Sequence, residues 1–211
     1  MAWDCIRREN EQIDYREAWD LQRSLHAEVV EGSRPATALF LQHPPTYTAG
    51  KRTEPHERPF DGTPVVDVDR GGKITWHGPG QLVVYPIVTL PKGVGVVDYV
   101  RLMEEVMISA LADHGLTTER VEGRSGVWLR ADATRPERKI GAIGIRVSRD
   151  TTMHGISLNL ENTMQGFGGV VPCGIADAGV TRLCDEIADP PSITTLADDV
   201  ERHLRRLLDF A

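Results

Sequence analysis

The segment from residue 69 to residue 86 constrains the fold of this 211-residue chain more than any other part of it. Residues 70–80 hold four glycines, a proline, two cations, a histidine and a tryptophan, and an apolar run follows them. Glycine lets a backbone adopt positive φ and approach a ligand closely. The pattern therefore predicts a strand over 65–68, a binding turn lined by backbone N–H groups, and a second strand over 82–88.

Length and composition indicate a globular protein with a core of its own. The chain is 40% apolar, and a chain of this length buries enough surface to fold without disulfides. It has no apolar run as long as a membrane span and no apolar stretch of a secretory signal at its start. The three cysteines lack the spacing of a disulfide framework or a zinc site, so we expect a reducing, cytoplasmic setting and no metal.

The net charge of −7 argues weakly against nucleic acid as the main partner. Residues 124–150 nevertheless carry seven cations against three acids. This local excess is compatible with a solvated loop or with a docking patch for an acidic partner, and the sequence leaves both interpretations open.

Apolar periodicity predicts alternating helices and strands without an internal repeat or a linker. Helices are expected over 14–31, 97–114 and 192–210, with Gly115 ending the second one. Strands are expected over 37–41, 127–130, 140–147 and 155–160, and a long loop over 43–59. We predict a single domain over 1–211 of the α+β (α/β) class, with a mixed, largely antiparallel sheet flanked by helices.

Cys173 is the candidate nucleophile, because a proline before it and a glycine after it place it on a constrained bend. A buried, inert thiol is the ordinary alternative. At a pKa near 8.5, only about 3% of a thiol is ionised at pH 7, so a nucleophilic cysteine needs a partner. His77, His154 and Lys139 are the candidates. Lys139 is the first residue of a run of small and apolar residues. Partial desolvation of its amine among them would lower the pKa of Lys139.

Two glycine-containing stretches, 141–144 and 154–159, admit two interpretations. Their small residues allow tight strand packing, or they leave room for an acyl chain and expose N–H groups to an oxyanion. No phosphate-binding P-loop pattern occurs in the chain, and Gly78-Pro79-Gly80 does not continue as a dinucleotide-binding fingerprint.

Taken together, these residues resemble the lipoyl(octanoyl) transferase family, whose members are octanoyl-[acyl-carrier protein]:protein N-octanoyltransferases. Three blocks carry the resemblance, and they follow each other in the family's order and spacing. They are 70–81 with Tyr85-Pro86, 139–144 with 154–159, and 172–175 with 179–181. The resemblance implies the catalytic-domain fold that biotin and lipoate protein ligases share.

The resemblance also implies roles for individual residues. Cys173 would be the acyl-thioester nucleophile, and Lys139 would lower its pKa and shuttle its proton. The residues that would bind the octanoyl and pantetheine groups are Arg70, Gly71, Gly72, Lys73, Ile74, Thr75, Trp76, His77, Ala142, Ile143, Gly144, Gly155, Ile156 and Ser157.

The implied donor is octanoyl-acyl carrier protein. The implied acceptors are apo lipoyl domains of 2-oxoacid dehydrogenases and the glycine cleavage H protein. We expect a cytoplasmic monomer that uses no cofactor and contacts neither nucleic acid nor membrane. Two alternatives stay open: an ATP-dependent lipoate or biotin protein ligase, and a non-catalytic domain that only binds carrier proteins.

Overall fold

Two β-sheets and three long helices make up the structure, a computed structural model that describes residues 3–59, 63–168 and 178–209. The strands are β1 (Asp4–Gln12), β2 (Thr37–Gln42), β3 (Thr46–Ala49), β4 (Val65–Asp67), β5 (Thr75–His77), β6 (Gln81–Ile87), β7 (Glu119–Val121), β8 (Arg124–Leu129), β9 (Arg138–Ser148), β10 (Thr151–Asn159) and β11 (Gly179–Val180). The helices are α1 (Tyr15–Val30), α2 (Val96–Ala112), the one-turn α3 (Gln165–Gly168) and α4 (Ile193–Leu207), and two short 3₁₀ turns lie at Pro55–Glu57 and Leu183–Asp185.

The large sheet has the strand order β1-β2-β6-β10-β9-β8-β7, and β11 also pairs with β9. The β1–β2 and β9–β11 pairs are parallel, and the other pairs of this sheet are antiparallel. The small sheet has the order β4-β3-β5. The predicted mixed, largely antiparallel sheet flanked by helices is confirmed.

Local signals account for the helix ends. Asp14 caps α1, because its carboxylate accepts hydrogen bonds from the backbone N–H groups of Arg16 and Glu17. Ser192 caps α4 in the same way through Thr195. Gly115 adopts a φ of +77°, which allows the chain to turn away after α2. The three predicted long helices are therefore confirmed to within a few residues at their described ends.

The large sheet separates two packing layers. On one face, α2 and α4 cover the main core, in which Phe40, Leu82 and Val84 are fully buried. On the other face, α1 packs against the alternate side chains of the same strands, among them Leu39 and Val83. No helix in the described part of the chain is long and apolar enough to cross a membrane.

Besides β1 and β7, where no strand was expected, two parts of the architecture differ from the sequence expectation. The loop expected over 43–59 contains β3, whose Tyr47 pairs with Trp76 of β5 across the small sheet. The segment after residue 69 is more than a turn between two strands, because β4 and β6 belong to different sheets and β5 lies between them. Short strands of mixed polarity carry a weak periodic signal, which explains both differences.

Candidate active site

A cavity of about 230 Å³ lies on the α1 side of the large sheet. The hairpin of β9 and β10 forms its floor, and the glycine-rich segment before β6 forms one wall. Its lining residues are Tyr15, Arg52, Arg70, Gly72, Lys73, Thr75, His77, Val83, Tyr85, Gly123, Arg124, Ser125, Lys139, Ala142, Ile143, Gly144, His154, Gly155, Ile156 and Ser157.

The floor consists of small residues that face each other across the hairpin. Ala142 pairs with Ser157, and Gly144 pairs with Gly155. A Cβ on Gly155 would lie 2.1 Å from the carbonyl oxygen of Val84, and a Cβ on Gly144 would lie 2.7 Å from Cδ of Arg70. The two glycines are therefore required by the close approach of neighbouring protein atoms, and the shallow floor that results leaves space above the sheet.

Arg70 fastens the glycine-rich wall to the small sheet. Its Nη1 donates hydrogen bonds of 2.9 Å to the carbonyl oxygens of Gly71 and Lys73. Its Nη2 donates to the carbonyl oxygen and the hydroxyl of Thr48 on β3, at 2.8 and 2.9 Å. The guanidinium is buried and lines the cavity at the same time. Its planar fork of donors explains why an arginine stands at this position.

Most of the predicted substrate-binding residues surround the cavity, but three do not line it. Ile74 and Trp76 pack with Tyr47 in a separate apolar cluster. Gly71 donates its backbone N–H to the carbonyl oxygen of Ile145, at 2.8 Å. Lys73 lines the cavity and forms an ion pair with the buried Glu57. The binding roles of these residues stay predictions.

A β-bulge directs the Lys139 side chain toward the cavity. Val127 pairs with Gly141 and Trp128 with Lys139, so β9 carries one residue, Ile140, more than β8 at this point. Ile140 and Gly141 both face α2: Ile140 belongs to the main core, and a Cβ on Gly141 would meet Met107. The bulge therefore returns Lys139 to the face that carries Ala142 and Gly144.

The Lys139 side chain is almost completely buried, with 6% of its residue surface exposed. Its Nζ lies 5.1 Å from the ring centroid of Trp128, within the range of a cation–π contact. A Cβ on Gly126 would lie 2.4 Å from its Cε. Trp128 and Gly126 together define the space that the lysine side chain occupies.

Cys173 lies outside the described residues, as does the rest of the 169–177 segment. The chain that follows this segment is fixed beside Lys139. Val180 pairs with Lys139, and the backbone N–H of Thr181 donates to the Lys139 carbonyl oxygen at 2.9 Å. Asn159 donates its amide to the carbonyl oxygen of Thr181, also at 2.9 Å.

A cluster of aromatic and imidazole rings forms part of the cavity wall. Asp69 accepts a hydrogen bond from Nε2 of His154, at 2.8 Å, and Nδ1 of His154 lies 3.3 Å from the Tyr15 hydroxyl. Nε2 of His43 lies 2.7 Å from the Tyr85 hydroxyl. Each neutral imidazole therefore accepts a hydrogen bond from a tyrosine through the nitrogen that carries no proton.

Burial keeps these groups uncharged at neutral pH. It lowers the pKa of His77 to about 3, and the neighbouring His43 adds to this effect when acid protonates it. It lowers the pKa of His154 to about 4, against the hydrogen bond to Asp69 that favours protonation. Burial also lowers the pKa of His43 to about 4 and raises that of Tyr15 to about 12. Bases this weak accept a thiol proton poorly, which favours Lys139 over His77 and His154 as the cysteine's partner.

The backbone at His154 is strained. Its φ is +58°, a left-handed conformation that costs a non-glycine residue about 1–2 kcal/mol. Its backbone N–H donates to the side-chain oxygen of Gln22 on α1, at 2.9 Å. Strain of this kind persists only where the surroundings hold it in place, and here α1 and Asp69 both do so.

Several residues of this site were not predicted as binding residues, among them Tyr15, Arg52, Val83, Tyr85 and residues 123–125. Tyr15 carried only the signal of a helix residue, and Tyr85, although it stands in a block that carries the resemblance, was given no role. Their position at the cavity depends on the packing of α1 against β6 and β10, which sequence periodicity does not report.

The cationic segment 124–150 is largely neutralised by ion pairs. Arg138 is buried and pairs with Glu186 through both Nε and Nη2, at 2.7 and 2.8 Å. Four other cations also pair with acids: Arg124 with Glu137, Arg130 with Glu119, Arg135 with Asp132, and Arg146 with Asp69. A free docking patch at this segment is therefore not supported. Among the described residues, no cluster of histidine, cysteine and acidic side chains is arranged to hold a metal ion.

Comparison with known proteins gives matches along most of the chain. The sequence profile of the lipoyl protein ligase A/B catalytic domain matches residues 14–205. The chain is 58% identical to an octanoyltransferase of Mycolicibacterium smegmatis over 197 residues, which cover 93% of this chain and 86% of that protein. It is 55% identical to an octanoyltransferase of Salinispora tropica, with 93% and 92% covered.

Among solved structures, the fold is similar to that of a bipartite lipoate protein ligase from Thermoplasma acidophilum. The TM-score is 0.73, and the match covers 99% of this chain and 84% of the other. The sequence identity is 14%, so this likeness concerns the fold alone.

Proposed function

The chain belongs to the lipoyl protein ligase A/B catalytic-domain family and is an octanoyltransferase of protein lipoylation, and we propose that it transfers the octanoyl group through a thioester on Cys173. An acyl donor and a lipoyl-domain acceptor follow from the family. The proposed donor is octanoyl-acyl carrier protein. The proposed acceptors are lipoyl domains of 2-oxoacid dehydrogenases and the glycine cleavage H protein. We also propose that the enzyme acts in the cytoplasm as a monomer.

The observation that carries the proposal is the buried amine of Lys139 at the edge of a cavity whose floor is made of small residues. A lysine in this setting is able to exchange a proton with a thiol, because its surroundings exclude most of the competing water. The strand β11, which starts six positions after Cys173, pairs with Lys139 and supports a short path between the two residues.

The proposed reaction has two steps. First, the Cys173 thiolate attacks the carbonyl carbon of the donor thioester, the bond to the pantetheine sulfur breaks, and Lys139 returns the cysteine's proton to the leaving sulfur. Second, the ε-amine of the acceptor lysine attacks the Cys173 thioester. An amide forms, the Cys173 sulfur leaves, and Lys139 takes up the amine's proton.

The two steps proceed without separate activation of the acyl group. The first step exchanges one thioester for another and is nearly thermoneutral. The second step converts a thioester into the more stable amide and drives the sequence forward. The reaction consumes no ATP and needs no cofactor, because the donor already carries an activated acyl group.

Intact-mass spectrometry after mixing with octanoyl-acyl carrier protein tests this proposal. We expect the protein to gain the mass of one octanoyl group in the wild type and not in Cys173→Ser. Cys184→Ser is the matched control, because Cys184 is a partly exposed cysteine outside the cavity and its loss should leave the adduct intact. Lys139→Met should slow adduct formation by at least tenfold.

The fold likeness to a lipoate protein ligase makes an ATP-dependent ligase the second candidate. Such an enzyme would form an acyl-adenylate, so free octanoate and ATP would give pyrophosphate exchange that Cys173→Ser leaves unchanged. A domain that only binds carrier proteins would give neither an adduct nor exchange. Absence of the octanoyl adduct in the wild type would overturn the thioester mechanism.

A further inference from the structure

Glu104 on α2 is a buried acidic residue for which the proposed reaction has no use. Its side chain is 0% exposed, and it does not line the cavity. One carboxylate oxygen, Oε2, pairs with Nη1 of Arg101 at 2.7 Å and with Nε of Arg120 at 3.2 Å. Burying a carboxylate costs free energy unless its oxygens are paired and hydrogen-bonded. The partner of the second oxygen, Oε1, therefore shows what else this charge holds in place.

The Oε1 atom of Glu104 holds the backbone of the strand beside Lys139. It accepts a buried hydrogen bond of 3.0 Å from the N–H of Gly126 on β8. Within the described strands β7, β8 and β9, the register pairs Gly126 with no residue. β8 has three residues, 125–127, where β7 has one, and the bulge at Ile140 follows on β9. A charged acceptor from α2 thus fixes β8 where the sheet itself is irregular.

Gly126 in turn limits where the amine of Lys139 is able to stand. A Cβ on this glycine would lie 2.4 Å from Cε and 3.1 Å from Nζ of the lysine. The ring of Trp128, whose centroid is 5.1 Å from Nζ, contacts the same amine. Because glycine has the widest choice of backbone conformations, Gly126 keeps its φ of +108° only while neighbouring groups hold it. A displacement of its backbone would change the space beside Nζ.

We propose that Glu104 is a positioning residue for Lys139, because its carboxylate fixes Gly126 and Gly126 fixes the lysine amine. This inference rests on the proposed function, in which Lys139 exchanges a proton with Cys173. A purely structural Glu104, which only joins α2 to Arg120 of β7, would affect the stability of the fold and leave the chemistry of the folded protein unchanged. The two roles therefore predict different acylation rates in folded variants.

Single-turnover acylation of the full chain by octanoyl-acyl carrier protein, followed by intact-mass spectrometry, measures these rates. Glu104→Ala removes the acceptor of Gly126 and should slow acylation at saturating donor by at least about tenfold. The donor concentration that gives half the maximal rate should change by less than about twofold, since Glu104 does not line the cavity. Glu104→Gln keeps an oxygen for Gly126 and should restore the rate to within about threefold of the wild type. Glu104→Leu, which keeps more of the side-chain volume, replaces Glu104→Ala if that variant does not fold.

A double-mutant cycle with Lys139→Met identifies the residue through which Glu104 acts. All four proteins are compared at pH 7.5, where about a tenth of an ordinary thiol is ionised and the Lys139→Met protein keeps a measurable rate. If Glu104 acts through the lysine amine, Glu104→Ala should slow the Lys139→Met protein by less than about twofold.

Val106→Ala is the matched control for stability. Val106 lies on the same helix and is fully buried in the main core, but its apolar side chain forms no hydrogen bond with β8. Its variant should lose stability in urea, as a shortened core residue does, and keep an acylation rate within about twofold of the wild type. The control separates the position of the lysine from a general loosening of α2.

The outcomes distinguish the inference from the proposed function. Slow acylation in folded Glu104→Ala, rescue in Glu104→Gln and no further loss in the Lys139→Met background support the inference. A normal rate in a folded Glu104→Ala or Glu104→Leu protein overturns it, and so does an equal loss with and without Lys139. A wild type that gains no octanoyl mass, or a Lys139→Met protein that reacts at the wild-type rate, contradicts the proposed function itself.

Discussion

Gly126 and Lys139 occupy adjoining strands in such close contact that a Cβ on Gly126 would lie 2.4 Å from Cε of the lysine. The same Cβ would lie 2.4 Å from the carbonyl oxygen of Gly141, and Gly126 has a φ of +108°. The strand beside the lysine thus has no room for a side chain, and its backbone conformation is one that only glycine adopts readily.

We therefore expect Gly126→Ala to displace the Lys139 side chain and to reduce the rate of Cys173 acylation by at least tenfold. It should also lower the free energy of unfolding by about 1–3 kcal/mol through backbone strain. Gly115→Ala is the control, because Gly115 also has positive φ but its Cβ would meet no atom within 4 Å. A folded Gly126→Ala protein that acylates at the normal rate would show that the position of Lys139 is not critical.

Arg70→Lys should reduce both stability and activity. The guanidinium makes four hydrogen bonds that join the glycine-rich wall to β3, and a single ammonium group cannot reproduce this geometry. We expect the free energy of unfolding in urea to fall by at least about 2 kcal/mol. The exposed Arg16→Lys variant should change it by less than about 0.5 kcal/mol. Equal stability of the two variants would argue against the fastening role of Arg70.

Stability should fall as the pH drops from 6.5 toward 4. The pKa values of His43, His77 and His154 lie at about 4, 3 and 4 in the folded protein, against an ordinary value of 6.5. In this window the unfolded chain binds more protons than the folded one, so acid favours unfolding. Each histidine should remove about 1.4 kcal/mol of unfolding free energy per pH unit.

Urea denaturation at several pH values measures this slope. His43→Gln should reduce the slope by about 1.4 kcal/mol per pH unit, because one buried histidine is gone. The exposed His56→Gln variant should keep the wild-type slope. A flat stability profile between pH 6.5 and 4 would mean that the buried imidazoles do not stay neutral.

The buried pair of Arg138 and Glu186 should act on stability and not on donor recognition. The two side chains are 8% and 2% exposed, and removing Arg138 leaves the buried Glu186 with Arg135 and the Thr181 hydroxyl as its remaining partners. We expect Arg138→Gln to lower the unfolding free energy by at least about 2 kcal/mol while KM for the donor stays unchanged.

Arg130→Gln provides the matched comparison for this pair. Arg130 is 80% exposed and pairs with Glu119, so its loss should cost less than about 1 kcal/mol. A strong rise of KM in a stable Arg138→Gln protein would restore the docking interpretation of the cationic segment.

Some elements were predictable because their signals are local. The long helices carry a 3.6-residue apolar period and capping residues, as Asp14 and Ser192 illustrate. The strand β1 was missed, because its charged residues, such as Arg7 and Glu11, hide the alternation expected of a strand at the edge of a sheet.

The site was predictable only in part, for a related physical reason. The glycine-rich wall and the small residues of the floor are visible as sequence motifs. The bulge at Ile140, which directs Lys139 to the cavity, depends on the register between β8 and β9 and leaves no signal of its own. Arg138 bonds to Glu186, 48 positions away along the chain, and His154 bonds to Asp69, 85 positions away. Only folding brings these partners into contact.

The tight turn between β9 and β10 restricts how this site is able to change by insertion or deletion. Arg149 and Asp150, both with positive φ, are the only residues between the paired Ser148 and Thr151. One residue added to or removed from either strand beside this turn would shift the register by one and move every side chain beyond it to the opposite face. Ala142 would then face away from the cavity after a change in β9, and Ser157 after a change in β10. Changes of length are tolerable here only in pairs of residues, or where a bulge absorbs the extra residue as it does at Ile140, so both strands of the floor have to be altered together.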